Sequence, residues 1–490
     1  MSDSALILIA GALLAAGVGA SLVAGRLQLP GLVLFLGVGM AIGSDGAGWI
    51  DFNDYELARR IGVIALALIL FEGGLTSGTV EIRPVLRPAI SLAFVGTLVT
   101  AVVTGMAAKW LLGLSVLEGL LLGSIVAATD GAAIFGLLRG STLRRRLART
   151  LEGESGLNDP VAVLLVIGFI DWIENSGYGV LDMAWLFARQ LGIGLVVGLV
   201  VGRLAIHAVR RVSLDARGLY PVMSVATAAI AYGGAAILDG SGFLSVYLAG
   251  LVLGGAHIPA KRTITAFHEG AAWTAQIALF LTLGLLVFPS QLGDVALDAT
   301  LVALVLVLVA RPLAVWLATA LESFNSRERL ILGWAGMRGA VPVVLATFPV
   351  IDGVPHSLEF FNVVFFVVVA STVVQGATFE PLARALGTTS AEPALPRPLT
   401  ETGTIRALGA EVVDYAVGPN DAIVGRRIRE LGLPREGLVN VIVRDGQAIP
   451  PRGSTRVRGG DHLHILVREE VADDFVRLTE RWRSSGSDGS

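Results

Sequence analysis

Apolar runs of membrane-crossing length recur along most of this chain, and they constrain the fold more than any other feature. A helix needs about 20 mostly apolar residues to cross a bilayer, where no water can satisfy the backbone. The runs are Ala5–Val23, Leu29–Ile42, Leu57–Leu75, Pro88–Leu111, Val116–Leu138, Leu151–Ile170 and Ala184–Ile206, then Leu219–Leu238, Phe243–Gly255, Ala271–Phe288, Ala296–Leu317, Leu330–Val350 and Leu358–Phe379. They predict an all-α polytopic membrane protein of about 13 spans. The first run has no basic segment before it and is followed by more spans, so it reads as a transmembrane helix rather than a signal peptide. Only 16% of residues are charged, and 60 glycines suit closely packed or interrupted membrane helices. There is no cysteine, which excludes disulfides, thiolate metal sites and thiol catalysis.

The loops alternate in charge. Arg26, then Arg83 and Arg87, then Arg139, Arg144, Arg145, Arg146 and Arg149 fall in every second loop, followed by Arg210, Arg211 and Arg217, by Lys261 and Arg262, and by Arg327 and Arg329. The intervening loops carry Asp45, Asp51, Asp54, Asp171, Glu174, Asp182, Asp239, Asp294 and Asp352. By the positive-inside rule the arginine loops are cytoplasmic, with the N-terminus outside and the C-terminus inside. An odd number of spans fits that orientation.

After Phe379 the composition changes. The expected division is a transmembrane domain over 1–385, a Pro/Ala-rich linker over 386–400, a small cytoplasmic α+β domain over 401–483 and a disordered tail over 484–490. Strands are expected at Glu411–Ala416, Gly437–Val443 and His462–Val467, with an Asp445-Gly446 hairpin turn. Helices are expected at Asp421–Leu431, behind an Asn420 cap, and at Val471–Trp482.

Charges inside the spans mark function, since an ionised group at the bilayer centre costs at least ~3 kcal/mol. In Leu151-Glu152-Gly153-Glu154-Ser155-Gly156-Leu157-Asn158-Asp159-Pro160 a helix would place Glu154, Ser155, Asn158 and Asp159 on one polar face. Asp130, Asp159 and Arg338 each lie nine or ten residues from a cytoplasmic arginine. That is about 13–15 Å of helix, so the three share one depth. Glu72 could join them from the third span or snorkel to the inner interface. Thr129-Asp130-Gly131 and Gly336-Met337-Arg338-Gly339-Ala340-Val341-Pro342 interrupt the fifth and twelfth spans, which enter from opposite sides. Two broken helices crossing mid-membrane suit the binding site of an inverted-repeat transporter. Arg338 needs a buried partner, and Glu154 is the expected one. Asp159, Ser155, Asp130, Thr129 and Glu72 then offer oxygens for a hard monovalent cation or a proton, with no other metal expected.

These residues resemble the NhaP/NHE branch of monovalent cation/proton antiporters. The resemblance rests on Phe71-Glu72-Gly73-Gly74-Leu75, the Thr129-Asp130 pair, the Glu154 to Asp159 run and Gly336 to Ala340, and covers residues 1 to about 385. It implies core and dimerisation domains, elevator-like alternating access and a homodimer in the lipid of a bacterial cytoplasmic membrane. Asp159 would be the ion- and proton-binding carboxylate and Asn158 its helix partner. Thr129, Asp130, Ser155 and Glu72 would line the site, and Glu154 and Arg338 would form a structural pair. Gly131, where many relatives have proline, resembles a bacterial potassium/proton subgroup, so K⁺ is the favoured substrate over Na⁺.

The segments Val424 to Leu431, Ile449 to Gly453 and Gly459 to Asp461 look like an RCK C-terminal (TrkA-C) domain. Such domains often dimerise and bind small regulatory ligands, here a nucleotide at most. The tail has no G-x-G-x-x-G strand-turn-helix, so NAD is not expected there; no other cofactor and no nucleic acid are expected either. His462 and His464 read as strand residues rather than metal ligands. The rival classes are an RCK-regulated cation channel, which lacks a repeated carbonyl filter motif, and an intramembrane aspartyl protease built on Asp130 and Asp159. Asn158 and the opposed broken helices have no hydrolytic role, so the chain is expected not to be an enzyme.

Overall fold

The computed structural model describes residues 3–27, 31–131, 134, 142–212, 216, 218–256, 258–390, 400–405, 410–444, 447–468 and 471–484. Arg139, Arg217, the Asp445-Gly446 turn, the tail from 485 and most of the expected linker lie outside them. The chain divides into two compact units, Met1–Leu395 and Pro396–Ser490.

In the first unit a helix stands on each apolar run. They are α1 (Asp3–Leu27), α2 (Gly31–Ile42), α3 (Tyr55–Ile82), α4 (Leu86–Ser91), α5 (Thr97–Leu112), α6 (Val116–Ile125), α7 (Arg145–Glu174), α8 (Val180–Arg211) and α9 (Leu219–Ile237). Then come α10 (Gly242–Gly254), α11 (Lys261–Leu285), α12 (Pro289–Val305), α13 (Arg311–Ala318), α14 (Ser326–Trp334), α15 (Ala340–Ile351) and α16 (Ser357–Ala385). Among the described residues, 7 helical rods are long and apolar enough to cross a membrane, and five shorter apolar helices accompany them.

The fold repeats a motif. A π-helical turn, Leu92–Gly96, joins α4 and α5 into one rod, and a second, Leu306–Ala310, joins α12 and α13. Each rod is followed by a short helix that opens on a capping box. At α6 the Glu118 N–H donates to the Ser115 hydroxyl while the Ser115 N–H donates to the Glu118 carboxylate; Asn325 and Glu328 do the same at α14. Each short helix then unwinds, over 126–130 and 335–339. The glycines and the threonine-aspartate pair that interrupt the sequence pattern stand at these breaks.

Packing sorts the helices into two lobes. One combines α1–α3 with α8–α11, and the other combines α4–α7 with α12–α16. Their seam is closed mainly by α3 against α7 and α15. At one end of the unit the arginine loops meet their partners: Arg145 and Arg149 contact Glu81, Arg144 contacts Glu328, and Arg146 stacks over Phe324. The start of the expected linker runs beside them, with the Arg144 N–H donating to the Thr388 carbonyl at 3.0 Å.

The second unit is a five-stranded antiparallel sheet of order β1-β2-β5-β3-β4, with β1 Thr400–Ile405, β2 Ala410–Ala416, β3 Gly437–Arg444, β4 Gln447–Ile449 and β5 His462–Arg468. Helix α17 (Ala472–Ser484) closes its core, where Trp482 meets Tyr415 and Phe475 edge-on and donates its indole N–H to the Leu431 carbonyl. The expected helix over Asp421–Leu431 is replaced by turns and one 3₁₀ turn, Ile428–Glu430. Its backbone is committed elsewhere: Gly425 and Ile428 N–H groups donate to Val457 and Thr455, and the Val457 N–H donates to Arg426. Gly425, at φ 82°, also leaves the right-handed region.

Candidate functional site

The two unwound stretches run against each other. The Asp130 N–H donates to the Met337 carbonyl at 3.1 Å, and the Ala340 N–H donates to the Asp130 carboxylate at 3.3 Å. Asp130 therefore sits at the first turn of α15, where orphan N–H groups and the helix dipole favour negative charge. Gly339 is required there, since a Cβ would overlap the Asp130 carboxylate. From α16 the Thr372 hydroxyl donates to the Arg338 carbonyl at 2.6 Å, the Ser371 hydroxyl accepts from the Arg338 N–H, and the Gln375 amide donates to the Trp334 carbonyl. The broken segment is thus bonded on both sides, as buried backbone demands.

Helix α7 supplies the rest. The Asn158 amide donates to the Thr129 hydroxyl, which lies 3.2 Å from the Ser155 hydroxyl, so Thr129, Ser155 and Asn158 form one buried cluster. Asp159, 4% exposed, turns instead toward a cavity at the seam of the lobes. Among the described residues, Asp130, Gly156 and Asp159 line it from one lobe, and Gly73, Tyr247 and Phe280 from the other. Neither lysine nor arginine is among its lining residues. Pro160 has no N–H to give the Gly156 carbonyl, which leaves a further backbone oxygen without its helical donor. Glu72 is buried on α3 beside Gly73, but it is not among the residues lining the cavity.

The expected Glu154–Arg338 contact is not formed. Glu154 is instead gripped by Arg311, at 2.5 Å and 2.9 Å from the two guanidinium nitrogens to its two oxygens. Arg311 follows the π-helical turn directly and reaches Glu154 across Gly336, where a Cβ would collide with its guanidinium. The Arg338 side chain folds back and donates to the Gly336 carbonyl at 2.6 Å. Mid-span depth identified Arg338 as a buried cation needing a partner; the same signal, a lone arginine inside Ala296–Leu317, would have found Arg311. Glu152 is also buried, accepting from Ser77 and from Arg149. His462 contacts Asp414, and no metal-binding group of three or more His, Asp or Glu exists among the described residues.

Interrupted helices that cross beside a cavity lined by two carboxylates, within a bundle of membrane-length rods, make the kind of arrangement that ion transporters use at their binding sites. Residues 10–385 match the family described as sodium/hydrogen exchanger, transmembrane, and the chain belongs to that family. Residues 412–479 match the TrkA-C domain. The chain is 40% identical over 474 residues to the K(+)/H(+) antiporter NhaP2 of Shewanella sp. (strain ANA-3), covering 96% of this chain and 82% of that protein. It is 39% identical over 487 residues to the K(+)/H(+) antiporter NhaP of Alkalimonas amylolytica, covering 98% and 84%. The fold matches that of the sodium proton antiporter MjNhaP1 from Methanocaldococcus jannaschii, with a TM-score of 0.66, 24% identity and coverage of 78% of this chain and 99% of that one. The chain is therefore a multi-pass membrane antiporter of the cation/proton exchange class.

Proposed function

We propose that this protein exchanges one monovalent cation for one proton across a bacterial cytoplasmic membrane, with K⁺ favoured and Na⁺ the alternative. The observation that carries this reading is the seam cavity, which presents Asp159 and Asp130 and no cationic side chain among its described lining residues. Asp159 binds cation or proton in competition. Of the other polar residues on its helix face, Glu154 is neutralised by Arg311 and the Asn158 amide cannot titrate. Asp130 is tied to the first turn of α15. A loaded Asp159 is then neutral and crosses the barrier, with the Asp130 carboxylate held against the first turn of α15 in both states, whereas an unloaded Asp159 pays the cost of an ionised group in hydrocarbon.

Elevator-type alternating access is supported by the division of the lining between two lobes, which lets one slide against the other. The favoured K⁺ is supported by the relatives named K(+)/H(+) antiporters. The protein works as a homodimer with its N-terminus outside and its TrkA-C domain in the cytoplasm, where a small ligand such as a nucleotide regulates transport. Thr129, Ser155, Asn158 and Glu72 support the site around Asp159.

Proteoliposomes with an internal pH probe test this reading, comparing K⁺, Na⁺ and Li⁺ gradients at clamped membrane potentials. Cation-driven proton flux independent of voltage is expected, and Asp159→Asn should abolish it. A rate or equilibrium that shifts with voltage overturns one-for-one exchange, and near-normal flux in D159N overturns the role of Asp159.

A further inference from the structure

On the lobe opposite Asp159, one side chain that lines the cavity carries an oxygen whose partner the protein does not supply. Tyr247, on α10, is 2% exposed, and its hydroxyl is buried with no hydrogen-bond partner among the described residues. An orphaned buried hydroxyl is costly, so one on a residue that lines a cavity holding two carboxylates calls for a ligand. The ring stands over Gly156, where an added Cβ would come within 2.8 Å of the hydroxyl oxygen. Gly156 and Asp159 are three residues apart on α7 and so are neighbours on its surface. The Asp159 Oδ1 atom is likewise buried and without a hydrogen-bond partner among the described residues. A further acceptor on that helix, Glu152, one turn before Gly156, already accepts from Ser77 on one oxygen and from Arg149 on the other. Tyr247 and Asp159, one from each lobe and each with an unmatched oxygen, therefore line one cavity whose other lining is mostly apolar.

We propose that the Tyr247 hydroxyl is a ligand of the transported cation, contributed by the α1–α3/α8–α11 lobe and completing the shell begun by Asp159. A neutral oxygen there adds coordination without adding charge, so one-for-one exchange is preserved. Because its helix belongs to the other lobe, Tyr247 can serve the cation only in the arrangement of lobes seen here, and the site loosens when they slide apart. This assignment rests on the antiport reading, and its test separates the two.

Tyr247→Phe removes only the oxygen. Since that oxygen lacks a protein partner, the variant should fold and be at least as heat-stable as the parent in cation-free detergent. If the hydroxyl binds the cation, the apparent KM for K⁺ and Na⁺ in proteoliposomes should rise roughly three- to ten-fold, the loss of one neutral hydrogen-bond-strength contact. The rise in melting temperature on adding K⁺ should shrink accordingly, and maximal flux should change little. An apparent KM within two-fold of the parent overturns the proposal. So does a raised KM with the K⁺-dependent melting shift intact, because the hydroxyl would then act on movement and not on binding. D159N run in parallel reports on the antiport reading alone: its retained flux would sink that reading whatever Y247F does.

Discussion

Arg311 and Glu154 face each other with two close nitrogen–oxygen contacts, and both side chains are at most 3% exposed. In such surroundings, removing one partner strands the other, at a cost of about 3–5 kcal/mol, whereas removing both can be nearly neutral. We therefore expect Arg311→Ala and Glu154→Ala each to lower the melting temperature in detergent sharply, and the double variant to recover most of the loss. The matching cycle of Arg338→Ala with Glu154→Ala should show a clearly smaller coupling, because Arg338 makes no contact ion pair with Glu154. Strong coupling in the second cycle and none in the first would return Glu154 to Arg338. Residue spacing made the buried charges legible, since depth follows from counting along a helix. It offered Arg338 and passed over Arg311, and it could not say which guanidinium meets Glu154, because that depends on where a π-helical turn points one of them. Tyr247 was invisible for a related reason: within Phe243–Gly255 it reads as one more aromatic in an apolar run, and only the neighbouring lobe makes its hydroxyl matter.

The decisive elements are the two breaks, at 126–130 and 335–339, and the half-helix that starts at Ala340. Their existence could be read from the Thr129-Asp130-Gly131 and Gly336 to Pro342 runs. Their mutual hydrogen bonding, and the repeated sequence of π-helical turn and capping box, could not, because they depend on which backbone groups meet after packing. Gly339 is where the packing is tightest. Gly339→Ala should displace the Asp130 carboxylate from the first turn of α15, with a stability loss of about 1–3 kcal/mol for forced overpacking. Exchange in proteoliposomes should fall at least ten-fold. Gly270→Ala serves as the control, since nothing lies within 4 Å of its added Cβ. It should be neutral or stabilise by up to about 1 kcal/mol, as alanine does inside a helix. Wild-type exchange in G339A would mean that the carboxylate's position against α15 is immaterial. In the second unit, by contrast, local helical periodicity over Asp421–Leu431 misled, because pairing with the 453–457 stretch took the backbone groups that a helix needs.

At the scale of the whole molecule, the chain carries two cores that share no members, one among the membrane-length helices and one around Tyr415, Ile465, Phe475 and Trp482. Units with separate cores unfold separately unless a large apolar interface couples them. Acid should distinguish them, because Asp461 braces the second unit. Its carboxylate accepts from the Arg444 guanidinium at 2.7 Å and 2.8 Å and from the Arg458 N–H at 2.8 Å. Burial pushes the Asp461 carboxyl up, but the Arg444 side chain, the Arg458 N–H and the charges of both arginines together hold it below the ordinary carboxylate range. A carboxyl lowered in the folded state takes up protons more readily once unfolded, so it stabilises the fold above the unfolded value, about 3.9. That contribution fades as the pH falls from there through the folded value. Two melting transitions are therefore expected from the full chain in detergent, with one of them dropping below about pH 4. In Asp461→Asn that transition should already be lower at neutral pH, by about 1–3 kcal/mol for a broken charge-assisted pair, and should descend less steeply in acid. The other transition should not respond to the substitution. If Asp461→Asn moved both transitions together, or if only one transition existed, the two cores would be folding as one, and the second unit would be a structural part of the transporter instead of a separable regulatory domain.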